Sequence, residues 1–382
     1  MKIPAKLLST VFCGSIDTNR IIGLIERIKS IAMEGEKMGV RSECVGNDSS
    51  PGETLKPSAI MHLVYAVYPS FAMLAGMQLD LFTALDDKAL TAKSLADSLG
   101  VLEDKITPLL YSLVAAGLLK MEDGFFSNTE EACAFLVRGR PNYMGSMSGF
   151  YSKLWNAALY TAESIRTGKP KLKIDWQALP EEELLTFFKT QFHSSIRAGK
   201  EIADKLDFSE FRRLLDAGGG TGGVCIGICN KYPNMQATVA DFPKVVQVTE
   251  RFIKEAGMSG RIAVSPTDLS TDRPEGQYDV AILRALIQTI SKEHARTVLK
   301  NIAQSILPGG RIYIIGGILE NSRLSPPSSL GMGLVFLNFY DDGRACTEKE
   351  HEEMLTAAGF TDIVPEHEAL SDGMGIISAR RL

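Results

Sequence analysis

A glycine-rich segment, Asp216–Gly222, and two later aspartates are the residues of this 382-residue chain best suited to binding a ligand. The segment reads Asp-Ala-Gly-Gly-Gly-Thr-Gly and follows a short apolar run, while Asp241 and Asp268 stand at the ends of the next two such runs. Glycines let the backbone approach a ligand closely, and open α/β sheets bind ligands at the carboxyl ends of their strands. A single aspartate there would be a common helix cap. Three at successive strand ends predict a nucleotide-type binding site.

The glycine segment is compatible with two kinds of cofactor. Gly218, Gly220 and Gly223 satisfy the GxGxxG pattern of dinucleotide-binding proteins, which is a weak signal by itself. The carboxylate of Asp216 would repel a pyrophosphate, whereas it would attract the ammonium group of S-adenosylmethionine (SAM). The sequence around this segment therefore favours SAM.

The end of the chain supports the same cofactor. Residues 359–364 and 373–379 form two apolar strands joined by a polar turn, which predicts a terminal hairpin that a simple dinucleotide fold lacks. In a SAM site, Asp241 is placed to bind the ribose hydroxyls, as acidic residues do in dinucleotide folds. Asp268 is placed to accept a hydrogen bond from the adenine amino group.

The order of predicted elements divides the chain into four segments. From Arg212 onward strands alternate with helices, which predicts a Rossmann-like, doubly wound α/β sheet with an antiparallel C-terminal strand. Before it, two short helices and an Asp-Gly hairpin predict a winged helix within an all-helical dimerisation domain. The segments are an extension and linker of unknown role (1–57), the winged-helix dimerisation domain (58–140), a helical connection with the substrate-pocket helices (141–205) and the SAM-binding domain (206–382).

Charge argues against nucleic acid as a partner of the winged helix. Residues 88–140 carry six basic and seven acidic side chains, and the whole chain has a formal net charge of −5. DNA binding needs a basic footprint. No run is expected to approach the roughly 20 apolar residues that span a bilayer, and the six cysteines show no metal-ligand spacing. We predict a cytoplasmic protein with no nucleic-acid, membrane or metal partner.

Four short motifs in the second half of the chain carry a family resemblance. They are Leu214–Gly222, Asp241–Pro243, Asp279–Arg284 and Leu307–Gly310. Together they resemble the class I SAM-dependent methyltransferases of the caffeic acid, acetylserotonin and hydroxyneurosporene O-methyltransferase type, and the order of modules is similar over about residues 58–382. The resemblance implies a homodimer formed through the amino-terminal helices and a small-molecule substrate. It also implies SAM contacts at Gly218, Asp241, Asp268, Leu269 and Arg284, beside Asp216 and Gly220 of the glycine turn.

The catalytic residues of that family are replaced in this chain. The histidine that deprotonates the acceptor hydroxyl in O-methylating members corresponds to Gln288, and the glutamates that orient it correspond to Gly316 and Ala345. Glutamine cannot act as a base. One alternative is methylation of a carbon or of an already acidic oxygen, with positioning supplying most of the rate. A second is that His193, on the helix before the glycine turn, is the base.

Two further alternatives remain from the residues. SAM serves a non-methylating reaction in related pericyclic and hydroxylating enzymes, or the chain is a SAM-sensing winged-helix regulator, which its charge disfavours. The acceptor is predicted from aromatic residues in 141–205 and from an apolar helix containing Met332, Phe336 and Phe339. Together these segments predict a small hydrophobic acceptor of an aromatic, polyketide-like or tetrapyrrole-like kind.

Overall fold

The computed structural model describes residues 56–382. Apolar residues at helical spacing predict a helix over 21–31, but this segment and the linker that follows it lie outside the described residues. The amino-terminal part, residues 58–136, contains six helices and three short strands. In chain order they are α1 (Ser58–Tyr65), α2 (Val67–Gln78), α3 (Leu81–Ala84), β1 (Leu90–Thr91), α4 (Ala92–Leu99), α5 (Glu103–Ala115), β2 (Leu119–Glu122), β3 (Phe125–Asn128) and α6 (Glu130–Leu136).

The winged helix forms as the sequence predicts, with one correction. Strands β2 and β3 pair antiparallel around Asp123 and Gly124, both of which have positive φ as an Asp-Gly hairpin turn requires. The apolar pattern of residues 90–99, which ends at Gly100, predicts that the first of the two short helices begins at Leu90, but Leu90 and Thr91 instead pair with β3 as a third strand. The amino-terminal domain is therefore helical with a small three-stranded sheet, rather than all-helical. Thr91 caps α4, which explains why the helix begins at Ala92, two residues later than predicted.

The segment Ser58–Gln78 corrects a second expectation, because its 21 residues are long and apolar enough to cross a membrane by length and composition. A turn at Ala66 divides the segment into α1 and α2. Few of its side chains are buried, and several large apolar ones are exposed. They include Ile60, Leu63, Val64, Tyr68 and Phe71. An apolar surface of this extent suits a partner surface.

Three helices connect the winged helix to the sheet domain. After a short 3-10 helix, Gly145–Met147, come α7 (Ser148–Ala158), α8 (Thr161–Thr167) and the 25-residue α9 (Glu181–Lys205). Three successive glutamates open α9 and Lys205 closes it, which complements the helix dipole at both ends. Its glycine at 199 allows close packing, because a Cβ atom there would lie 2.4 Å from the carbonyl oxygen of Val224.

The sheet domain contains seven strands in the order β11-β12-β8-β7-β4-β5-β6. The elements are β4 (Arg213–Ala217), α10 (Gly223–Lys231), β5 (Gln236–Asp241), α11 (Pro243–Glu255), β6 (Ile262–Pro266), β7 (Tyr278–Arg284), α12 (Lys292–Ala303), β8 (Ile306–Gly316), β9 (Ile318–Leu319), α13 (Pro327–Phe339), β10 (Cys346–Thr347), α14 (Glu348–Ala357), β11 (Phe360–Glu366) and β12 (Gly375–Arg381). A 3-10 helix, Ile287–Thr289, follows β7.

The topology of this sheet is the one that the sequence predicts. Strands β4 to β8 run parallel to one another, and β12 runs antiparallel to both β8 and β11. Two buried clusters cover the two faces, as expected for a doubly wound sheet. The carboxyl ends of β4, β5, β6 and β7 meet at one edge. Because β12 is antiparallel, the loop before it reaches that same edge.

Candidate functional site

The glycine turn after β4 is held by its own backbone. Gly218 and Gly220 have φ of 71° and 53°, a region that favours glycine. The Gly218 amide donates to the carbonyl of Ala240 at 2.8 Å, which ties the turn to β5. A Cβ atom at Gly218 would stand 3.2 Å from Leu286, and one at Gly220 would stand 3.7 Å from the ring of Phe188. The turn is thus bordered by the segment after β7 and by α9.

Asp216 lies beneath the turn and is fully buried. Its Oδ2 is 3.5 Å from the Cys225 thiol, and a Cβ atom at Gly219 would come within 2.6 Å of its carboxyl group. Burial raises the pKa of Asp216 to about 7, and the negative charge of Asp241 acts in the same direction. Its carboxylate therefore stands behind the glycine backbone, and any attraction to a ligand ammonium acts through that backbone layer.

Asp241, at the end of β5, braces the turn directly. Its Oδ2 accepts from the Gly220 amide at 2.9 Å, and its Oδ1 accepts from the Phe242 amide at 2.8 Å. Burial raises the pKa of Asp241 to about 6, although these two N–H donors oppose the shift. Each carboxylate oxygen has further lone pairs, so bound hydroxyl groups remain possible partners.

The third predicted aspartate, Asp268, is used locally. Its Oδ1 accepts from both the amide and the hydroxyl of Ser270, at 3.0 and 2.6 Å. This is the capping arrangement that a lone strand-end aspartate commonly adopts. Leu269 is buried in the core cluster on one face of the sheet, and its carbonyl accepts from Asn301 at 3.0 Å. Neither residue directs its described contacts toward the glycine turn.

Arg284 ends β7 and forms an ion pair that the sequence did not reveal. One guanidinium nitrogen, Nη2, donates to Oδ2 of Asp372 at 2.6 Å, and Asp372 belongs to the loop before β12. Its Nε is buried without a hydrogen-bond partner among residues 56–382. Arg284 is also close enough to Asp216 to oppose the rise in the pKa of that carboxyl. The signal for Asp372 was the polar turn of the terminal hairpin, which specifies no partner.

Gln288 occupies a gap that Gly316 leaves open. The Gln288 side chain is buried, and a Cβ atom at Gly316 would lie only 2.0 Å from its Oε1. Within the described part of the chain its Nε2 has no hydrogen-bond partner. Ala345 is also buried. The residue before it, Arg344, donates its backbone amide to the Gln288 carbonyl at 2.9 Å. Together Gln288, Gly316 and Ala345 therefore offer one buried side-chain amide group.

His193 lies on the exposed side of α9. It is five residues from Phe188, so at about 100° per residue the two side chains point about 140° apart around the helix. Phe188 faces the glycine turn, whereas His193 shares its exposed face with Lys189 and Lys200. The structure does not bring His193 to the glycine turn. Periodicity within α9 would have shown this, since the polar residues 186, 189, 193 and 200 fall on one face.

Aromatic side chains extend from the glycine turn toward the connecting helices. Phe188 is 6.0 Å from Trp176 between ring centroids, and Trp176 contacts Phe187 edge to face at 5.1 Å. Phe187 in turn meets Phe150 of α7. Tyr340, just after α13, is buried, which raises its pKa to about 12. We name Phe150, Trp176, Phe187 and Phe188 the aromatic cluster.

The edge of the sheet suits a cationic ligand better than an anionic one. Two carboxyl groups, the buried Asp216 and the half-buried Asp241, lie beside the turn, and desolvation raises the pKa of each because little nearby positive charge provides compensation for its ionised form. A ligand that carries an ammonium and a sulfonium charge supplies that compensation. A pyrophosphate would increase the repulsion. The carboxylates and backbone groups at this edge therefore fit SAM.

Two family models match this chain. Residues 171–361 match the O-methyltransferase domain, and residues 61–138 match the O-methyltransferase dimerisation domain. The second match includes most of α1 and all of α2. The exposed apolar helices therefore coincide with a dimerisation domain of known type.

Individual relatives are distant but cover most of the chain. The 3-hydroxy-5-methyl-1-naphthoate 3-O-methyltransferase of Streptomyces sahachiroi is 26% identical over 86% of this chain and 96% of its own length. The L-tyrosine C(3)-methyltransferase of Streptomyces lavendulae is 26% identical over 75% and 82%. The crystal structure of human N-acetylserotonin methyltransferase in complex with SAM has a similar fold. It aligns with a TM-score of 0.73 at 22% identity, covering 86% of this chain and 99% of that one.

Proposed function

The chain belongs to the O-methyltransferase family that carries its own dimerisation domain, and from that premise we propose which molecule it methylates and how. It is a SAM-dependent methyltransferase acting at oxygen or carbon. The proposed acceptor is a small aromatic or polyketide-like molecule. The observation that carries this choice is the aromatic cluster, which runs from the glycine turn to α7.

The proposed cofactor contacts follow from the carboxyl edge of the sheet. Gly218 and Gly220 present backbone that no side chain obstructs, and Asp241 accepts hydrogen bonds from ribose hydroxyls while it braces the turn. Arg284 offers the buried Nε–H that has no partner among the described residues. Asp268 contributes through the carboxylate oxygen that Ser270 leaves unused, and Leu269 through its backbone.

SAM, when bound, supplies a methyl group on a positively charged sulfur, which makes that carbon electrophilic. The protein's own part is to exclude water and to hold the acceptor atom in line with that carbon. Phe188 and Trp176 give the flat, apolar wall for this alignment. The buried Nε2–H of Gln288 donates to an acceptor oxygen, which orients the acceptor and satisfies an otherwise unpaired amide.

Proton abstraction by a histidine is not part of this proposal. Gln288, Gly316 and Ala345 provide no group that accepts a proton near pH 7, and His193 faces away from the glycine turn. The acceptor therefore enters with an acidic oxygen, already ionised in solution, or with an electron-rich carbon. The relatives include both an O-methyltransferase and a C-methyltransferase.

The functional unit is proposed to be a homodimer. The supporting observation is the row of exposed apolar side chains on α1 and α2, inside the match to the dimerisation domain. Light scattering on the purified chain should give twice the mass of one chain. A Leu63→Asp variant should shift it toward one chain, whereas Lys93→Asp, at an exposed residue on α4, should not. A stable monomer for the unaltered chain would contradict the proposal.

The activity is tested with SAM labelled in its methyl group. Purified protein is incubated with hydroxylated naphthoic acids, anthraquinones and phenols of graded acidity. We expect label in a small organic product, S-adenosylhomocysteine in equal amount, and a preference for the more acidic acceptors. An Asp241→Asn variant is the background control. Product formed without S-adenosylhomocysteine would favour the non-methylating alternative. Label on weakly acidic phenols at neutral pH, where they are not ionised in solution, would favour a hidden base.

A further inference from the structure

The loop before β12 joins three elements that surround the cofactor edge. Strand β12 is antiparallel to β8 and begins at Gly375, opposite Gly316 at the carboxyl end of β8. The preceding residues, Leu370–Met374, therefore lie at the ligand-binding edge of the sheet. We name these five residues the hairpin loop.

The hairpin loop contacts the end of β7 through Asp372. Oδ2 of Asp372 accepts from Nη2 of Arg284 at 2.6 Å, and its Oδ1 accepts from the Met374 amide at 3.1 Å. One carboxylate oxygen is thus fixed by the loop itself while the other holds the guanidinium. This arrangement limits the rotamers that the Asp372 side chain can adopt.

The same loop is anchored on both sides of that ion pair. The Ser371 amide and hydroxyl donate to the carboxylate of Glu201 on α9, at 2.6 and 2.8 Å. Gly373, with φ of 78°, accepts through its carbonyl from the Ser328 hydroxyl on α13, at 3.3 Å. A hairpin turn remote from the glycine segment in sequence is thereby fixed in space beside Arg284.

The ion pair itself adds little to folding stability, because both side chains are partly exposed and water screens such pairs. Its geometric effect is larger. An arginine side chain carries about 2 kcal/mol of rotamer entropy, and a charged partner in a fixed position selects one orientation. In that orientation the Nε–H of Arg284 is buried with no partner in residues 56–382. A buried N–H group without a hydrogen-bond partner costs free energy unless a ligand supplies the acceptor.

We propose that Asp372 is a positioning residue, which holds Arg284 so that its free Nε–H binds the cofactor. This inference rests on the proposed role of Arg284 in cofactor binding. Asp372 does not touch the cofactor itself. Glu201 and Ser328 hold the loop against α9 and α13, whereas Asp372 is the loop residue that contacts the end of β7.

The test is the dissociation constant of S-adenosylhomocysteine, measured by isothermal titration calorimetry on the full-length protein without an acceptor. Asp372→Asn should weaken binding about tenfold, because a charge-assisted hydrogen bond to the guanidinium is lost. Arg284→Gln should weaken it by a similar factor, and the double variant by no more than either alone. Asp372→Glu should recover part of the affinity, since it restores the charge.

The matched control is Glu201→Gln, which weakens an anchor of the same loop and leaves the Arg284–Asp372 pair intact. Its affinity should stay within about twofold of the unaltered protein. Equal losses in Glu201→Gln and Asp372→Asn would overturn the inference, because the loop would then act only as a structural support. A normal affinity in Asp372→Asn with a loss in Arg284→Gln would overturn the positioning role of Asp372 and leave the proposed cofactor contact of Arg284 standing. A normal affinity in Arg284→Gln would overturn the proposed cofactor contact as well.

Discussion

The proposed cofactor side and the proposed acceptor side of this site are built from different parts of the protein. The cofactor side consists of backbone: a turn with two glycines of positive φ, and carboxylates held by main-chain N–H groups at strand ends. The acceptor side consists of side chains from separate segments, including Phe188 of α9 and Gln288 after β7. Backbone geometry tolerates few substitutions, whereas a wall of side chains can be rebuilt for a new acceptor.

This difference between backbone and side chains indicates which part of the site can change its chemistry within one fold. Gln288 and Gly316 fit each other, because a Cβ atom at 316 would lie 2.0 Å from Oε1 of Gln288, so the side chains at these two positions depend on each other. The glycine turn beside it keeps the pattern that a nucleoside-type cofactor needs. A chain can therefore retain its methyl donor while it alters how the acceptor is held.

The largest expected effect lies on the cofactor side, in Asp241→Ala. The change removes the acceptor of the Gly220 and Phe242 amides together with the proposed ribose contact. Charge-assisted hydrogen bonds contribute about 1.5–3 kcal/mol each, so affinity for S-adenosylhomocysteine should fall about 100-fold. Calorimetric titration measures it. Asp207→Asn, which alters an exposed aspartate that also accepts from a backbone amide, should leave affinity unchanged. A loss below about threefold in Asp241→Ala would place the ribose elsewhere.

The next effect tests the matched pair on the acceptor side. A methyl group in Gly316→Ala would overlap Oε1 of Gln288, so we expect about 2 kcal/mol loss of unfolding free energy in urea. Adding Gln288→Ala should recover most of that loss, because it removes the colliding atom. Gly317→Ala is the control, since its Cβ atom would make ordinary contacts at 3.7 Å with Ser329. Equal losses in the two single glycine variants would show that backbone strain, and no specific pairing, governs the site.

A smaller effect concerns pH. Burial raises the pKa of Asp241 to about 6 and that of Asp216 to about 7, above the value of about 3.9 in an unfolded chain. Between pH 4 and those values the unfolded state loses protons that the folded state keeps. The free protein should therefore lose stability as pH rises through this window.

Cofactor binding should show the opposite trend. SAM carries a net positive charge and therefore favours ionised carboxylates, so affinity for SAM should strengthen from pH 5.5 to 7.5, by about tenfold, and then level off. Titration calorimetry at several pH values measures this. Asp241→Asn should flatten the part of the curve near pH 6. An affinity that is constant over the range in the unaltered protein would contradict the proposed electrostatics.

The smallest expected effect is that of His193→Gln. Because His193 lies on the exposed face of α9 with Lys189 and Lys200, its loss should change kcat/KM less than twofold and leave the pH–rate profile unaltered. Steady-state rates with a confirmed acceptor measure it. A drop of about 100-fold, within the range of a lost general base, would restore His193 as the proton acceptor.

Local patterns predicted most of the fold and the outline of the cofactor side. Strand periodicity and glycine placement gave β4, the turn and the terminal hairpin, because these depend on neighbours in sequence. The pairing of Arg284 with Asp372 spans 88 residues and depends on strand order, which no local pattern contains. The capping role of Asp268 was the ordinary alternative for a strand-end aspartate. The burial of Asp216 beneath Gly219 required knowledge of the turn's conformation.

For the proposed acceptor side, the sequence predicted only which kinds of residue would line it. Aromatic residues in 141–205 indicated a hydrophobic pocket, but which of them meet the glycine turn depends on how α9 crosses α10. Phe188 does so, while His193 on the same helix does not. The family resemblance predicted that Gln288 stands at the position of the catalytic histidine. The contact between the Gln288 side chain and Gly316 could be seen only in the fold.

A crystal structure of the complex with S-adenosylhomocysteine most directly tests the proposed cofactor site and the absence of a histidine base. We predict that the nucleoside lies against Asp241 and the glycine turn. The sulfur of S-adenosylhomocysteine should then face the space between Gln288 and the aromatic cluster. We also predict that every histidine in the chain lies beyond the roughly 3 Å hydrogen-bond reach of an acceptor placed beside that sulfur. A ligand bound elsewhere, or a histidine within that reach, would contradict the account.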